Sequence, residues 1–478
     1  MAMADKLKVN YGKTFLIGCG FLGSMVAWSI YDPYVSKLVS EKLTDSVFIS
    51  NLGAHLALKY PFLLDFMKAQ GEDVHSTGGG FTLVPLFVGI VMTFDNIFGV
   101  IFQPMFGKLS DRTHSRFGKR RPYVFIFAPV SAALFILIPR MQTVPALMVC
   151  IIAFVFFMSL WRSPVMSLMP DLTPPSLRSE ANSVISVAGG FGAFIGLMAG
   201  AALAFIFGFN TKLNEERNAV FILGAVVMIL GTLVLAFFVK EKDSRLQSIA
   251  EYARSGEAFD LEASKKKEKE KLKGLKLGKA QKRSLLFMMA TLFFLFIGTN
   301  SITTFFALFA AEVLHKTTAQ ATLMLGVFLA SGLAGAFPAG LLGKKYGRKK
   351  VIIGGLCSFI VMFSAFFITK QLWLIWPALA IGGASSLFIN VNTLPLVWSI
   401  GGVEKVGTFT GYYYTATFSG QVAAPILFGI VRVLSGTYMS LFYFCPIAFV
   451  LALLCIFQVR HGEAVPEDVI EEAAIQEN

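Results

Sequence analysis

Twelve apolar segments, each long enough to cross a lipid bilayer as a helix, recur along this chain of 478 residues. Because a helix rises about 1.5 Å per residue, spanning the hydrocarbon core takes roughly 20 apolar residues. The segments cover residues 14–39, 80–107, 122–140, 145–170, 181–207, 218–240, 284–311, 319–342, 351–369, 374–398, 407–433 and 438–458. Hydrophobic residues make up 55% of the chain and charged residues only 15%, against about a quarter in soluble domains. The sequence therefore predicts an all-α membrane protein with twelve transmembrane helices.

The basic residues are concentrated in a few of the loops that connect these segments. Six Lys and Arg lie in 108–121, five in 343–350 and fourteen in 240–283, whereas the loop 40–78 has three Lys and five acids. Cytoplasmic loops carry the excess of Lys and Arg, so we expect a multi-pass protein of the cytoplasmic (plasma) membrane with both termini in the cytoplasm. Because the +13 charge is confined to such loops, we interpret it as topology within a lipid bilayer and expect no nucleic-acid partner.

A charged stretch divides the apolar segments into two sets of six. It predicts an N-terminal bundle over 1–240, a cytoplasmic linker over 241–283, and a C-terminal bundle over 284–478 that ends in an acidic tail. The halves resemble each other, because GKLSDRTHSRFGKRRP follows the second segment and the shorter GLLGKKYGRKK follows the eighth. Two pseudo-symmetric six-helix bundles place a substrate site between them near the middle of the membrane. We expect the protein to be a monomer.

Three charged residues inside the apolar segments are singled out as candidates, namely Asp32, Asp95 and Arg162. An Asp or Arg at the centre of a membrane helix costs about 2.5–3.5 kcal/mol on insertion scales, so a residue of this kind is a candidate functional site. Asp95 lies far from both ends of its segment. We expect Arg162 to face Asp95 or Asp32 across a polar cavity, where the three residues serve cation or proton coupling. The alternative is that Asp32 reaches the membrane surface and that Arg162 extends towards water.

Neutral polar and aromatic residues supply the expected sugar-binding groups, because amides, hydroxyls and aromatic rings suit a hydroxyl-rich ligand. Beyond the linker, the middle parts of the apolar segments contain such neutral groups and no charge. The candidates are Trp28, Gln103, Trp161, Asn300, Asn390, Asn392, Tyr414 and Gln421. The alternative for each of them is a hydrogen bond between helices, worth under about 1–2 kcal/mol.

The sequence argues against a metal site, a cofactor and an enzyme. All five Cys lie inside apolar segments, and no CxxC pair occurs. None of the five His lies within an apolar segment, so no imidazole at membrane depth is available to carry a proton. The sequence also lacks HExxH, a Walker lysine loop and paired carboxylates suited to glycosyl transfer. We therefore expect no metal, no cofactor and no catalytic residue.

The loop after the second segment resembles the corresponding loop of the major facilitator superfamily. Its sequence QPMFGKLSDRTHSRFGKRRP is similar to the long form of the sucrose and maltose proton symporters and of the wider glycoside–pentoside–hexuronide:cation symporter group. PVMSLMPDL resembles the junction of helices 4 and 5 in that group, and FINVNTLPLVW resembles its helix 10. In that group a short acidic motif on helix 2 binds the coupling cation. Its paired acids correspond here to Gly99 and Gln103, with Asp95 one turn earlier, so the resemblance implies a major facilitator fold with a single-carboxylate proton site.

We expect a proton-coupled symporter of a sugar, with an α-glucoside such as sucrose or maltose as the substrate. In this hypothesis Asp95 takes a proton from outside, Arg162 is released, the sugar binds between the halves, and closure opens the inner side. A cytoplasmic ion-pair latch would hold the outward-open state, formed by Asp111, Arg112, Arg116, Arg121, Arg178 and Glu180. The alternatives are a lysolipid or drug carrier of the same fold and a sodium-coupled glycoside symporter.

Overall fold

The computed structural model describes residues 9–47, 83–113, 115–173, 178–207, 213–241, 278–401 and 406–461, and single residues at 49, 51, 52, 55 and 59. Most of the predicted linker, the acidic tail and most of the loop 40–78 therefore lie outside the described residues. The described ranges contain helices and turns and no β-strand, which confirms the prediction of an all-α protein.

Twelve long helices form the described part of the chain, one for each apolar segment. They are α1 (Tyr11–Thr44), α2 (Val84–Arg112), α3 (Arg121–Leu137), α4 (Val144–Leu172), α5 (Arg178–Phe207), α6 (Leu213–Phe238), α7 (Lys279–Val313), α8 (Thr318–Tyr346), α9 (Arg348–Thr369), α10 (Ile375–Gly401), α11 (Val406–Ser435) and α12 (Leu441–Phe457). By length and composition, twelve helices of the described chain are able to cross a membrane, which confirms the predicted number of spans.

Local sequence signals set where several helices begin and end. At the start of α8, Thr317 Oγ1 accepts the Gln320 N–H at 3.3 Å and Gln320 Oε1 accepts the Thr317 N–H at 3.2 Å, a capping box. Helix α3 has Pro122 in its first turn, where the missing N–H would have no partner within the helix. Gly347 separates α8 from α9 with a φ of 92°, a conformation that glycine adopts most readily.

The contacts divide the chain into two compact units. The first comprises Met1–Lys42 and Phe94–Lys267, and the second comprises Leu43–Thr93 and Glu268–Asn478. Helix α2 contributes to both units, because its first turns pack within the second. There Thr93 Oγ1 lies 3.3 Å from the carbonyl oxygen of Val422 on α11, and a Cβ on Gly89 would overlap the Pro425 carbonyl group.

Within the first unit, glycines allow α1 to approach α5 and α6 closely. A Cβ on Gly192 would overlap the α1 backbone at Leu22, and a Cβ on Gly196 would overlap it at Val26. On α6, Gly231 lies in the same way against the carbonyl group of Cys19. Small residues permit such close packing of membrane helices, which is governed by van der Waals contact. The result is that α1, which carries one of the three charged residues, is held firmly on two of its faces.

Within the second unit, α8 and α10 approach each other in the same manner at Gly383, where a Cβ would overlap the Phe328 carbonyl oxygen. Two phenylalanine pairs, one stacked and one tilted, join α9 to α12. The ring centroids of Phe359 and Phe449 are 4.5 Å apart, and those of Phe366 and Phe442 are 4.4 Å apart. Ring pairs at this separation add to the energy of apolar burial.

We predict that Gly383→Ala lowers the melting temperature of the purified protein, because the added methyl group must push α8 and α10 apart. Gly354→Ala is the matched control, since a Cβ there meets nothing within 4 Å. Alanine in an exposed helix is favoured over glycine by about 1 kcal/mol, so the control should be neutral or stabilising. Equal melting temperatures for the two variants in a detergent thermal-shift assay would contradict this account of the packing.

Candidate functional site

Three charged side chains from different helices meet within the first unit: Asp32 of α1, Asp95 of α2 and Arg162 of α4. All three are partly buried, and they lie close enough for their charges to interact. Among the described side chains, neither carboxylate forms an ion pair with Arg162 within 4.0 Å. The structure thus brings together the three residues singled out in the sequence, but without a direct ion pair.

The Asp95 carboxylate is held by its neighbour on α2. Its Oδ1 accepts a hydrogen bond from Asn96 Nδ2 at 2.9 Å, and Asn96 is only 8% exposed. An amide N–H donor favours the ionised form of a carboxylate. Asn96 therefore positions one oxygen of Asp95 and leaves the second oxygen without this side-chain donor.

The Arg162 guanidinium packs on an aromatic ring. Its central carbon lies 5.6 Å from the ring centroid of Trp28, and Nη2 lies 3.9 Å from the sulfur of Met25. A guanidinium over a Trp face is attracted by the ring's quadrupole, more strongly when water is excluded. This contact fixes the guanidinium near the two acids.

Aromatic side chains pack against one another beside the charged residues. Trp28 meets Tyr31 edge-on with centroids 5.2 Å apart, and Tyr31 stacks on Phe154 at 5.6 Å. Trp28 Nε1, the Tyr31 hydroxyl and Arg162 Nε are all buried and have no hydrogen-bond partner within the described chain. Buried polar groups are nearly always paired, so three such groups in one cluster suit a ligand that carries several oxygen atoms.

Trp161 takes part in helix packing, apart from this cluster. Trp161 is fully buried, and its Nε1 donates to Ser131 Oγ at 3.1 Å, which joins α4 to α3. The side chain of Gln103 lies outside the described residues, although its backbone is part of α2. Of the sugar-binding candidates in the first unit, Trp28 is the one whose described side chain lies with the charged residues.

In the second unit, Asn392 takes part in helix packing. Its Nδ2 donates to the Ala339 carbonyl oxygen of α8 at 3.0 Å and to the Phe388 carbonyl oxygen of its own helix at 2.9 Å. Asn392 is 3% exposed, and its amide oxygen fills the space left by Gly343. These contacts favour an interhelical role for Asn392, the alternative considered from the sequence.

The other sugar-binding candidates of the second unit differ in how many of their side-chain polar groups form hydrogen bonds. Asn300 Nδ2 donates to the Gln421 carbonyl oxygen at 3.1 Å and so joins α7 to α11. Asn390 Nδ2 lies 3.3 Å from Ser386 Oγ, whereas its buried Oδ1 has no partner in the described chain. Tyr414 is exposed. Asn390 and Tyr414 thus keep the capacity to bind a ligand.

A second charged cluster lies at the turn between α2 and α3. Arg120 is 3% exposed, and its Nη2 lies 2.8 Å from Asp171 Oδ2 near the end of α4. The same guanidinium donates to the Gly107 carbonyl oxygen at 2.9 Å and to Ser110 Oγ. Glu241, just after α6, accepts hydrogen bonds from the backbone of this turn. Sequence reasoning missed Arg120, Asp171 and Glu241.

Of the six residues predicted for the latch, three have described side chains, and the latch stays a prediction. Arg121 donates through Nε to the Ala236 carbonyl oxygen at 2.7 Å, and exposed Arg116 lies over the ring of Phe117 at 5.0 Å. Arg112 is exposed at the end of α2. The side chains of Asp111, Arg178 and Glu180 lie outside the described residues. In GKRRP three basic residues follow one another, and only the geometry of the turn shows that the middle one is buried.

The family model described as "MFS/sugar transport protein" matches residues 49–400. That match covers well over half of the 478 residues, and the chain therefore belongs to this family of sugar and solute transporters. The resemblance seen in the loop after the second segment is confirmed, and the protein is a multi-pass membrane protein of the major facilitator superfamily.

Curated relatives include both sugar and drug transporters. The isoprimeverose transporter of Lactiplantibacillus pentosus is 23% identical over 353 residues, 72% of this chain and 64% of that protein. Sucrose transport protein SUC3 of Arabidopsis thaliana is 26% identical over 204 residues, 35% of this chain and 34% of that protein. Multidrug resistance protein 2 of Bacillus subtilis is 24% identical over 187 residues, 39% of this chain and 46% of that protein. Each match spans less than two thirds of the relative.

Solved transporter structures share the fold. A bacterial homolog of the human lysosomal transporter Spinster, inward-facing and occupied, has a TM-score of 0.62 at 12% identity over 93% of this chain and 95% of that chain. The nucleoside transporter NupG has a TM-score of 0.60 at 13% identity over 94% of this chain and 100% of that chain. At this identity the likeness shows the fold alone, which is the predicted major facilitator fold.

We predict that Arg120→Gln lowers the melting temperature, because it removes the ion pair with Asp171 and the guanidinium donors to Gly107 and Ser110. The loss should be roughly 1–3 kcal/mol, below that of a fully buried pair because the Asp171 side chain is 26% exposed. Arg116→Gln makes the same chemical change at an exposed position and should leave the melting temperature unaltered. Equal stabilities of the two variants would show that Arg120 has no structural role.

Proposed function

We propose that this transporter is a proton-coupled sugar symporter of the plasma membrane that works by alternating access, with both termini in the cytoplasm. An α-glucoside such as sucrose or maltose is the proposed substrate. The observation that carries the proposal is the cluster of the first unit, in which two carboxylates, one guanidinium and three unpartnered donors lie together.

The charge of the cluster supports coupling to a single proton. With Asp32, Asp95 and Arg162 all ionised, the cluster carries one excess negative charge. Uncompensated charge inside a membrane protein is costly, so neutralisation by one proton favours the form that reorients across the membrane. Asp95 is the proposed proton acceptor because it lies near the middle of α2 and because Asn96 engages only its Oδ1 through the side chain.

The unpartnered donors support sugar as the ligand. A sugar offers hydroxyl oxygens to Trp28 Nε1, the Tyr31 hydroxyl and Arg162 Nε, and it offers hydroxyl protons to the carboxylate of Asp32. The ring of Trp28 and its neighbours supply an apolar face against which the C–H face of a sugar ring packs.

We predict that Asp95→Asn abolishes accumulation of radiolabelled sucrose or maltose against its gradient in proteoliposomes under an imposed pH gradient. Sugar exchange at equal pH should persist, because a neutral amide resembles the protonated acid and lets the loaded carrier reorient. Asp45→Asn, the same change at an exposed position, should leave both activities intact.

Two results would contradict this coupling. One is uphill sugar uptake by Asp95→Asn at the rate of the unaltered protein. The other is sugar uptake by the unaltered protein that depends on a sodium gradient and is insensitive to pH. That result would identify a sodium-coupled glycoside symporter instead of a proton-coupled one.

We predict that Tyr31→Phe raises the apparent KM for sugar without lowering the melting temperature, because the Tyr31 hydroxyl has no partner within the described chain. A neutral hydrogen bond is worth about 0.5–1.5 kcal/mol, which corresponds to a rise of roughly 2- to 12-fold in KM. Tyr346→Phe removes an exposed hydroxyl at the end of α8, in the second unit, and should leave the KM unchanged.

The similarity to multidrug resistance proteins of Bacillus subtilis makes a drug carrier the second candidate. The same proteoliposomes, offered lipophilic cations and lysolipids beside the sugars, separate the two functions. If Tyr31→Phe leaves sugar transport unchanged while drug or lysolipid transport responds, the sugar proposal fails.

A further inference from the structure

Basic residues from three helices meet at one end of the second unit, where α7 and α9 begin and α12 ends. Ser284 Oγ of α7 accepts the Arg460 N–H at 3.2 Å and lies 2.9 Å from Nδ1 of His461. Lys349 Nζ of α9 donates to the Val459 carbonyl oxygen at 2.7 Å. The segment after α12 is therefore bound to the first turns of both other helices. We call the Lys and Arg residues of these segments the basic end: Lys279, Lys282 and Arg283 of α7, Arg348, Lys349 and Lys350 of α9, and Arg460.

No carboxylate balances these charges among the described residues of 278–461. Those residues include one acid, Glu312, which lies near the opposite end of α7 and pairs there with Arg432 at 2.8 Å. The first turns of α7 and α9 contain no acid, although the dipole of a helix favours negative charge at that end. The basic end therefore has a surplus of positive charge without a counter-charge in the described chain.

Most side chains of the basic end have no structural role in the described chain. Arg348 is an exception, because its Nη1 donates to Ser399 Oγ at 2.9 Å, and so is Lys349 with its bond to the segment after α12. The others are exposed and form no side-chain hydrogen bond or ion pair with a described residue. They are Lys279, Lys282, Arg283, Lys350 and Arg460.

Exposed apolar side chains adjoin these charges. Leu286 is 68% exposed and lies one turn after Lys282 on the same face of α7. On α12, exposed Leu454 and Phe457 share a face in the last turns before Arg460. A phospholipid combines an anionic headgroup with acyl chains, so it matches both the charged and the apolar surface. A soluble anion would match the charges alone.

We propose that the basic end is a binding site for an anionic phospholipid. Its exposed Lys and Arg residues bind the headgroup phosphate, and the acyl chains pack along α7 and α12. Lys and Arg form strong, charge-assisted hydrogen bonds with phosphate oxygens, and basic pockets between membrane helices bind such headgroups. The lipid thereby joins the beginning of α7 to the end of α12. In the topology of the proposed function this end faces the cytoplasmic leaflet, but the binding itself does not depend on that topology.

The test is a lipid titration of the full-length protein in neutral detergent, followed by native mass spectrometry. Phosphatidylglycerol and phosphatidylcholine with the same acyl chains differ in the net charge of the headgroup. We expect phosphatidylglycerol to bind at least about tenfold more tightly, and this preference to fall as salt is raised from about 50 to about 300 mM. Equal binding of the two lipids overturns the proposal and would leave the basic residues a role in topology alone. The measurement requires no transport, so its outcome is separate from that of the proposed function.

Lys282→Gln combined with Arg460→Gln should weaken the binding of phosphatidylglycerol by roughly 5- to 30-fold, since each charge near an anionic lipid is worth about fivefold. Arg116→Gln combined with Lys240→Gln is the matched control, because it removes one Arg and one Lys from exposed positions of the first unit. The control should bind the lipid as the unaltered protein does, and both double variants should keep its melting temperature. Equal lipid affinities of the two double variants overturn the proposal.

Two other occupants of the basic end are distinguished in the same experiment. Displacement of phosphatidylglycerol by an equal concentration of inorganic phosphate would identify a phosphate site that has no use for acyl chains. Phosphatidylglycerol that binds only to a variant without residues 462–478 would identify the acidic tail, which contains six acids, as the occupant. Either result overturns the proposal, whereas binding to the full-length protein that phosphate leaves unchanged supports it.

Discussion

Two carboxylates and one guanidinium inside an otherwise apolar bundle are the constraint on which the rest of the structure depends. Asp32, Asp95 and Arg162 lie on three helices and are near enough for their charges to interact, yet no ion pair joins Arg162 to either acid among the described side chains. Such groups are expensive at membrane depth unless they are neutralised or engaged by a ligand. In the proposed function, a proton and a polar ligand meet this cost, and the cluster then has the property that a coupled carrier requires.

The rest of the first unit holds this cluster in place by packing and by backbone contacts. Gly192 and Gly196 bring α5 against α1, so that α1 has little freedom to move its acid away from the guanidinium. Trp28 supports the guanidinium from one side. At the turn between α2 and α3, Arg120 forms an ion pair with Asp171 of α4, and Glu241 accepts hydrogen bonds from the backbone of that turn. Helices α2 and α4 therefore contribute to both the central cluster and the charged cluster at the turn.

Features that depend on local composition could be predicted from the sequence. The twelve helices follow from the length of apolar runs, and Asp95 is conspicuous because a charge in such a run is costly. Features that depend on the rotation and packing of the helices could not be predicted from the sequence. Trp28 and Trp161 look alike in the sequence, yet Trp161 is bound to Ser131 in helix packing while Trp28 lies beside the charges. Asn392 likewise serves packing, and no periodicity indicates that Glu241 contacts a turn about 120 residues earlier.

The number of protons that enter with each sugar tests the central claim most directly. In proteoliposomes without an imposed gradient, external pH and sugar uptake can be recorded together after sucrose or maltose is added. A single excess charge in the cluster predicts one proton per sugar, seen as a rise in external pH that a protonophore abolishes. Sugar entry without any proton movement, or with a sodium ion in its place, would contradict the account.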